Sequence, residues 1–133
     1  MIYLDTSAVV KLIRREADSD ALLDWLGWQP QLVTSAVIDI ELPRALSRTS
    51  PDLLADIPRI MSRIHRYEIV ELVRQAACGF PACAVAEAIH LATATAVFFP
   101  LLTAFVSYDE HQLEQARAAG LPTHTPRAAC RRP

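Results

Sequence analysis

A chain of 133 residues fits one domain with enough material for a buried core. Hydrophobic residues make up 52% and charged ones 21%, which excludes a disordered chain, and a net charge of -2 supplies no global basic field for nucleic acid. The chain opens Met-Ile-Tyr-Leu-Asp without a basic leader, and its longest apolar run, Ala96 to Leu102, is broken by Pro100, so a cytoplasmic protein with no membrane segment is expected. Cys78, Cys83 and Cys130 are an odd set in a chain with no export signal, which argues for free thiols. A zinc site built from Cys78, Cys83 and His90 lacks a fourth ligand and paired spacing.

Ile2, Tyr3 and Leu4 read as a short buried strand, followed by a helix through Ala8, Val9, Leu12 and Ile13 with Thr6 or Ser7 as its N-cap. Asp5 then sits at the carboxyl end of a strand, where open parallel sheets bind ligands; the plainer alternative is that it only helps to cap the helix. A second helix, capped by Asp18 or Ser19, carries Ala21, Leu22, Trp25 and Leu26 on one stripe and ends near Gly27.

Leu32 and Val33 form a second strand, and Thr34 or Ser35 caps a helix from Ala36 to Leu46. Glu41 projects from the apolar stripe of that helix, a costly place for a carboxylate unless it is paired or bound to a cation. Pro43 is expected to kink the helix, at about 3 kcal/mol if it is interior. Ser50-Pro51 starts another helix, which Pro58 divides or bends. Arg59, Arg63 and Arg66 line one face at helical spacing, a solvated face with RNA or partner contact as the alternative. Tyr67, Ile69 and Leu72 suggest an extended piece, and Val73 to Ala77 a helical turn.

Between Gln75 and Tyr108 the one formally charged residue is Glu87, on a helix predicted over Cys83 to Val97. His90 lies near enough to orient that carboxylate, the other role being a packed histidine satisfied by backbone. Leu101 to Val106 ends as a strand, and Ser107-Tyr108-Asp109-Glu110 repeats the order strand, acid, helix. That helix, Glu110 to Ala119, stops at Gly120, and Leu121 to Thr125 forms the last strand. Residues 1–126 read as one domain and 127–133, with Arg127, Arg131 and Arg132, as a flexible basic tail.

Short strands alternating with helices specify an α/β sandwich with a mainly parallel sheet. Right-handed crossovers put the carboxyl ends of successive strands on one rim, so Asp5 and Asp109 share it, with Glu41 and Glu87 on helices able to lean over it. Clustered carboxylates repel one another unless protonated or bound to cations, and oxygen-only ligands suit hard ions such as Mg²⁺. Such an ion activates water and stabilises the charge of phosphodiester hydrolysis, which points to a metal-dependent nuclease.

Asp5-Thr6-Ser7 after the first strand, Glu41 in a helix opening near Thr34-Ser35-Ala36, Glu87-Ala-Ile-His-Leu-Ala92 and Val106-Ser-Tyr-Asp109 resemble the four acidic motifs of PIN domains. Their order, their spacing and the chain length are most similar to the toxin ribonucleases of VapBC toxin–antitoxin pairs, over Met1 to Pro126. The resemblance implies a PIN-like three-layer α/β/α sandwich with a short, mainly parallel twisted sheet. It implies cleavage of an RNA substrate dependent on Mg²⁺ or Mn²⁺, a homodimer, and a cognate VapB-type antitoxin that blocks the acidic pocket. By the same carry-over Asp5, Glu41, Glu87 and Asp109 are the catalytic, metal-binding set, with Thr6 or Ser7 as a supporting contact. Relatives usually carry aspartate where this chain has Glu87, and an Arg-Ser pair where it has Ala84 and Val85. Those departures open the alternative of a degenerate PIN domain that binds RNA or antitoxin without cutting. An aspartyl phosphatase of similar layout expects a second acid where Ser7 stands.

Overall fold

In a computed structural model, which describes residues 1–28 and 31–130, the first strand is β1 (Ile2–Leu4), and none of its residues is more than 1% exposed. It is the middle strand of five. On one side lie β2 (Leu32–Ser35) and β3 (Ile64–Tyr67), on the other β4 (Ala104–Val106) and β5 (Thr123–His124), in the order β3-β2-β1-β4-β5 with every pairing parallel. A wholly parallel sheet needs cover on both faces, which the alternating helices supply.

Alternation along β1 sends Ile2 and Leu4 to one face and Tyr3 to the other. Ile2, Leu4, Ala104 and Val106 pack against α1 (Thr6–Ile13), α2 (Ser19–Leu26), α3 (Ile38–Thr49) and α4 (Ile57–Met61) through Val9, Leu22, Ile38, Leu42, Leu46 and Met61. On the opposite face Tyr3, Val33 and Phe105 meet Leu91, Ala94, Phe98 and Ala116, carried by α6 (Val85–Thr93), the π-helical turn Ala94–Phe98 that prolongs it, and α7 (Glu110–Ala118). α5 (Glu71–Ala77) packs against α6 and buries Val73. Each such Leu, Ile or Phe contributes roughly 1.5–3 kcal/mol by leaving water. The three-layer α/β/α expectation is borne out.

Several local expectations are corrected. Thr34 and Ser35 do not cap α3 but extend β2, because they pair with Arg66 and Tyr67 and Thr34 Oγ1 donates to Leu4 O at 2.6 Å. Arg59, Arg63 and Arg66 share no helix face: α4 stops at Met61, buried Ile64 starts β3, and Arg66 pairs with Asp39 at 2.5 Å. The extended piece thus comes earlier than expected, and Leu72 lies in α5. The Glu87 helix begins at Val85, since Ala84 is extended (φ −60°, ψ 156°) and leaves Cys83 outside it. Pro43 removes one donor, yet α3 runs unbroken past it to Thr49. Pro58 is met by a division, a 3-10 turn over Pro51–Asp56 followed by α4.

Beyond Pro126, Arg127 pairs with Asp18 at 3.7 Å and Glu110 at 3.4 Å, and Ala128 N–H donates to Asp18 at 2.9 Å. Arg131 and Arg132 lie outside the described residues. Among the described residues no helix is long and apolar enough to cross a membrane.

Candidate active site

Leu4 is in register with Val106, so β1 and β4 end side by side and the residues that follow them meet. Asp5 is 2% exposed. Its Oδ1 accepts from Ala8 N–H at 3.0 Å and Ser7 Oγ at 2.6 Å, and its Oδ2 accepts from Ser107 Oγ at 2.5 Å. Asp5 is therefore the N-cap of α1, and Thr6 and Ser7, expected as caps, lie inside the helix. The reason is conformational: Asp5 has the extended backbone a cap requires (φ −78°, ψ 177°) together with a short acceptor. Asp109 repeats the arrangement on α7, where its Oδ1 accepts from Gln112 N–H at 2.9 Å. Capping occupies one oxygen of each carboxylate and so does not exclude a ligand on the other.

Ser107 joins the two acids. Its buried hydroxyl donates to Asp5 and accepts Asp109 N–H at 3.1 Å. Sequence reasoning passed over this serine, whose one signal was its place between a strand and an acid. Burial pushes the Asp5 carboxyl above the usual carboxylate range, against the downward pull of His90, Ser107 and Ser7.

A second group forms around His90, which is 2% exposed. Tyr3 Oη lies 2.7 Å from its Nδ1, while Nε2 faces Glu41 Oε1 at 2.9 Å and Thr6 Oγ1 at 3.0 Å; Thr6 also donates to Glu41 at 2.7 Å. Tyr3 and Glu41 thus give both ring nitrogens of His90 a side-chain partner. Burial works to raise the Glu41 pKa, but the His90 and Thr6 hydrogen bonds outweigh it and hold the carboxyl below its ordinary range. Burial lifts the Tyr3 phenol far above its own. His90 thus neither orients Glu87 nor relies on backbone. It faces β1, roughly 60° round α6 from Glu87, which faces α7.

Glu87 Oε2 lies 3.1 Å from His111 Nδ1. Cys83 joins them, the three ligand atoms all lying within 4.8 Å of one another. Burial first, then the Glu87 charge, pushes the Cys83 thiol up.

The structure therefore brings Asp5, Ser7, Ser107 and Asp109 into one hydrogen-bonded group, and Thr6, Glu41 and His90 into a second that begins at the Asp5–Thr6 peptide. Glu87 belongs to a third, tied to His111 just beyond Asp109. Among the described residues, no three of the four acids have oxygens within 4.8 Å of one another. Among the described residues Asp5, Glu41, Glu87 and Asp109 have no Lys or Arg partner, as is also true of Asp24, Asp52, Glu68, Glu71 and Glu114; of the four, Asp5 is set apart by being buried. Asp5 and Asp109, which follow the adjacent ends of β1 and β4, offer oxygen donors of the kind that suit a hard dication.

Thr6 and Glu41 open onto a cleft of about 490 Å³ whose wall includes Ile40, Arg44, Arg48 and Val85. Ser7 opens onto another of about 340 Å³, with Lys11, Arg14, Arg48 and Tyr108. A larger cleft of about 560 Å³ lies at the amino ends of β1 and β2, beside Met1, Gln31 and Leu32, and holds none of these acids.

Residues 2–122 match the family described as PIN domain. The chain is 46% identical over 131 residues to Ribonuclease VapC35 of Mycobacterium tuberculosis, covering 95% of this chain and 97% of that protein. It is 32% identical over 127 residues to Ribonuclease VapC46 of the same species, covering 94% and 97%. Its fold is similar to that of VapBC2 from Rickettsia felis bound to a promoter DNA fragment, with a TM-score of 0.70 at 14% identity over 94% of this chain and 98% of that one. It is also similar to Mycobacterium tuberculosis VapC20, described as a sarcin-ricin loop cleaving toxin, with a TM-score of 0.69 at 17% identity over 91% and 96%.

Proposed function

The chain belongs to the PIN-domain family and, within it, to the VapC ribonucleases, and from that premise we propose that it is the toxin of a type II toxin–antitoxin pair, an endoribonuclease restrained by a VapB-type antitoxin. The observation that carries the reading is Asp5, a buried carboxylate with no Lys or Arg partner among the described residues, joined through Ser107 to Asp109.

Asp5 and Asp109, completed by Glu41 and Glu87, would hold a divalent ion, Mg²⁺ or Mn²⁺, with Thr6 and Ser7 in support. When bound, such an ion lowers the pKa of water and offsets the charge that builds on a phosphodiester during hydrolysis. The protein's own part is orientation. Ser7 and Ser107 hold both oxygens of Asp5, and Thr6 and His90 keep Glu41 ionised in one position. Arg44 and Arg48 set permanent cations in the cleft beside Glu41, where RNA phosphates would lie. In the reaction the water oxygen bonds to phosphorus, a ribose oxygen leaves, and the water proton passes to that leaving oxygen or to solvent.

The toxin–antitoxin complexes among its structural neighbours support a VapB-type partner. Ile40 and Val85, 62% and 78% exposed, flank the cleft, and an antitoxin segment seated there would cover both and block Glu41. The toxin acts as a homodimer in the cytoplasm, where its RNA substrate is found.

The test is RNA incubated with purified protein. Cutting is expected with Mn²⁺ or Mg²⁺, none with EDTA, and none by Asp5→Ala; chelator-sensitive cutting that survives in Asp5→Ala rejects the site.

A further inference from the structure

The remaining trio differs in chemistry from the rest of the rim. Cys83 supplies a sulfur, His111 an imidazole nitrogen and Glu87 a carboxylate oxygen, and among the described residues this is the one set of three such atoms lying within 4.8 Å of one another. They come from two elements, the residue pair before α6 and its first turn, and the first turn of α7. Tetrahedral zinc places a nitrogen and an oxygen ligand about 3.4 Å apart, given metal–ligand bonds near 2.0–2.1 Å. Glu87 Oε2 and His111 Nδ1 already stand 3.1 Å apart. Cys83 has to close only part of the 4.8 Å span, and His111, 47% exposed, is free to turn toward it.

We propose that Cys83, Glu87 and His111 form a three-ligand site for a thiophilic transition ion of the Zn²⁺ class, with water in the fourth position. Three protein ligands and an open position are a common zinc arrangement, and a thiolate with an imidazole favours Zn²⁺ over Mg²⁺. On binding, the sulfur–metal bond replaces the thiol proton, which goes to solvent, and the imidazole carries its proton on Nε2 so that Nδ1 can ligate. If Glu87 also serves the cleaving centre, a consequence that rests on the function proposed above, zinc at the trio withdraws a ligand from that centre and slows Mg²⁺-supported cleavage.

Co²⁺ provides a readout independent of activity. Titration of the full chain with Co²⁺ is expected to give a near-ultraviolet thiolate-to-cobalt charge-transfer band and visible bands of tetrahedral intensity, saturating at one ion per chain and abolished by one equivalent of Zn²⁺. Cys83→Ser is expected to lose the charge-transfer band. His111→Ala and Glu87→Gln are each expected to weaken Co²⁺ binding at least tenfold. Cys78→Ser and Cys130→Ser are expected to keep it; Cys78 already donates to Arg74 O at 3.4 Å. No charge-transfer band, or a band that persists in Cys83→Ser, overturns the site, and circular dichroism checks that each variant is folded. A band that forms while Zn²⁺ leaves cleavage unchanged upholds the site and takes Glu87 out of the cleaving centre. A band with no RNA cleavage under any metal upholds the site and overturns the ribonuclease reading alone.

Discussion

His90 Nε2 lies 2.9 Å from Glu41 Oε1, and Nδ1 of the same ring lies 2.7 Å from the Tyr3 hydroxyl, so one buried imidazole ties the central strand to an acid at the rim. Leucine at position 90 would strand the Tyr3 hydroxyl, which has no exposure to water. His90→Leu is expected to cost about 1–3 kcal/mol in urea unfolding. Tyr3→Phe costs less, and the double variant costs less than the sum of the two, because both remove the same contact. Strict additivity would show that the pair is not coupled.

Ser107 touches both Asp5 and Asp109 without carrying charge. Removing the hydroxyl that orients a metal ligand lowers metal affinity on the order of 10–100-fold in other sites. Ser107→Ala is therefore expected to shift the Mg²⁺ concentration for half-maximal RNA cleavage upward by about that factor. A merely structural role would lower stability and leave the Mg²⁺ requirement where it was.

Asp5 has a pH signature of known sign. A carboxyl whose folded pKa is raised contributes stability below its unfolded value of 3.8 and loses it as pH rises through the folded value. In EDTA, Asp5→Asn is expected to match the wild type near that pH and to melt higher than the wild type by neutral pH. Glu41 runs the other way, its stabilising contribution being lost as pH falls through its lowered pKa. Adding Mn²⁺ is expected to raise the wild-type melting temperature and not that of Asp5→Asn. Equal melting of both proteins in EDTA across this range would contradict a buried, unpaired carboxylate at position 5.

Much of this could be read in the chain beforehand, for identifiable reasons. The alternation of short apolar runs with helical stripes specifies a covered parallel sheet, and an acid directly after Leu4 or Tyr108 falls on its rim, whereas β3, with His65 and Arg66 in its middle, gives no such run. The hydrogen bonds around those acids were not legible. Asp5 and Ser107 are 102 residues apart and Tyr3 and His90 are 87 apart, and no local period links such pairs. Helix spacing offers His90 either Glu87 or a packed position satisfied by backbone, and neither reading reaches its actual partners, Glu41 and Tyr3, which come from other elements. Thr34 and Ser35 carry cap chemistry in a position where strand pairing prevailed.

Arg44 and Arg48 line the cleft beside Glu41, and neither has an acidic partner among the described residues. Arg48→Ala is expected to raise KM for RNA while leaving kcat largely intact, and to reduce the slope of log affinity against log salt by about 0.7 for a single-stranded substrate. An unchanged salt slope would remove Arg48 from the RNA path.

Crystals grown with Mn²⁺, with data collected at the manganese absorption edge, provide the most direct measurement. The anomalous peak is expected against Asp5 Oδ2 and Asp109, with Glu41 or Glu87 or both completing the shell. A manganese peak elsewhere, in a preparation that cuts RNA while Asp5 keeps only its bonds to Ser7, Ala8 and Ser107, would contradict the rim acids as the metal-holding set.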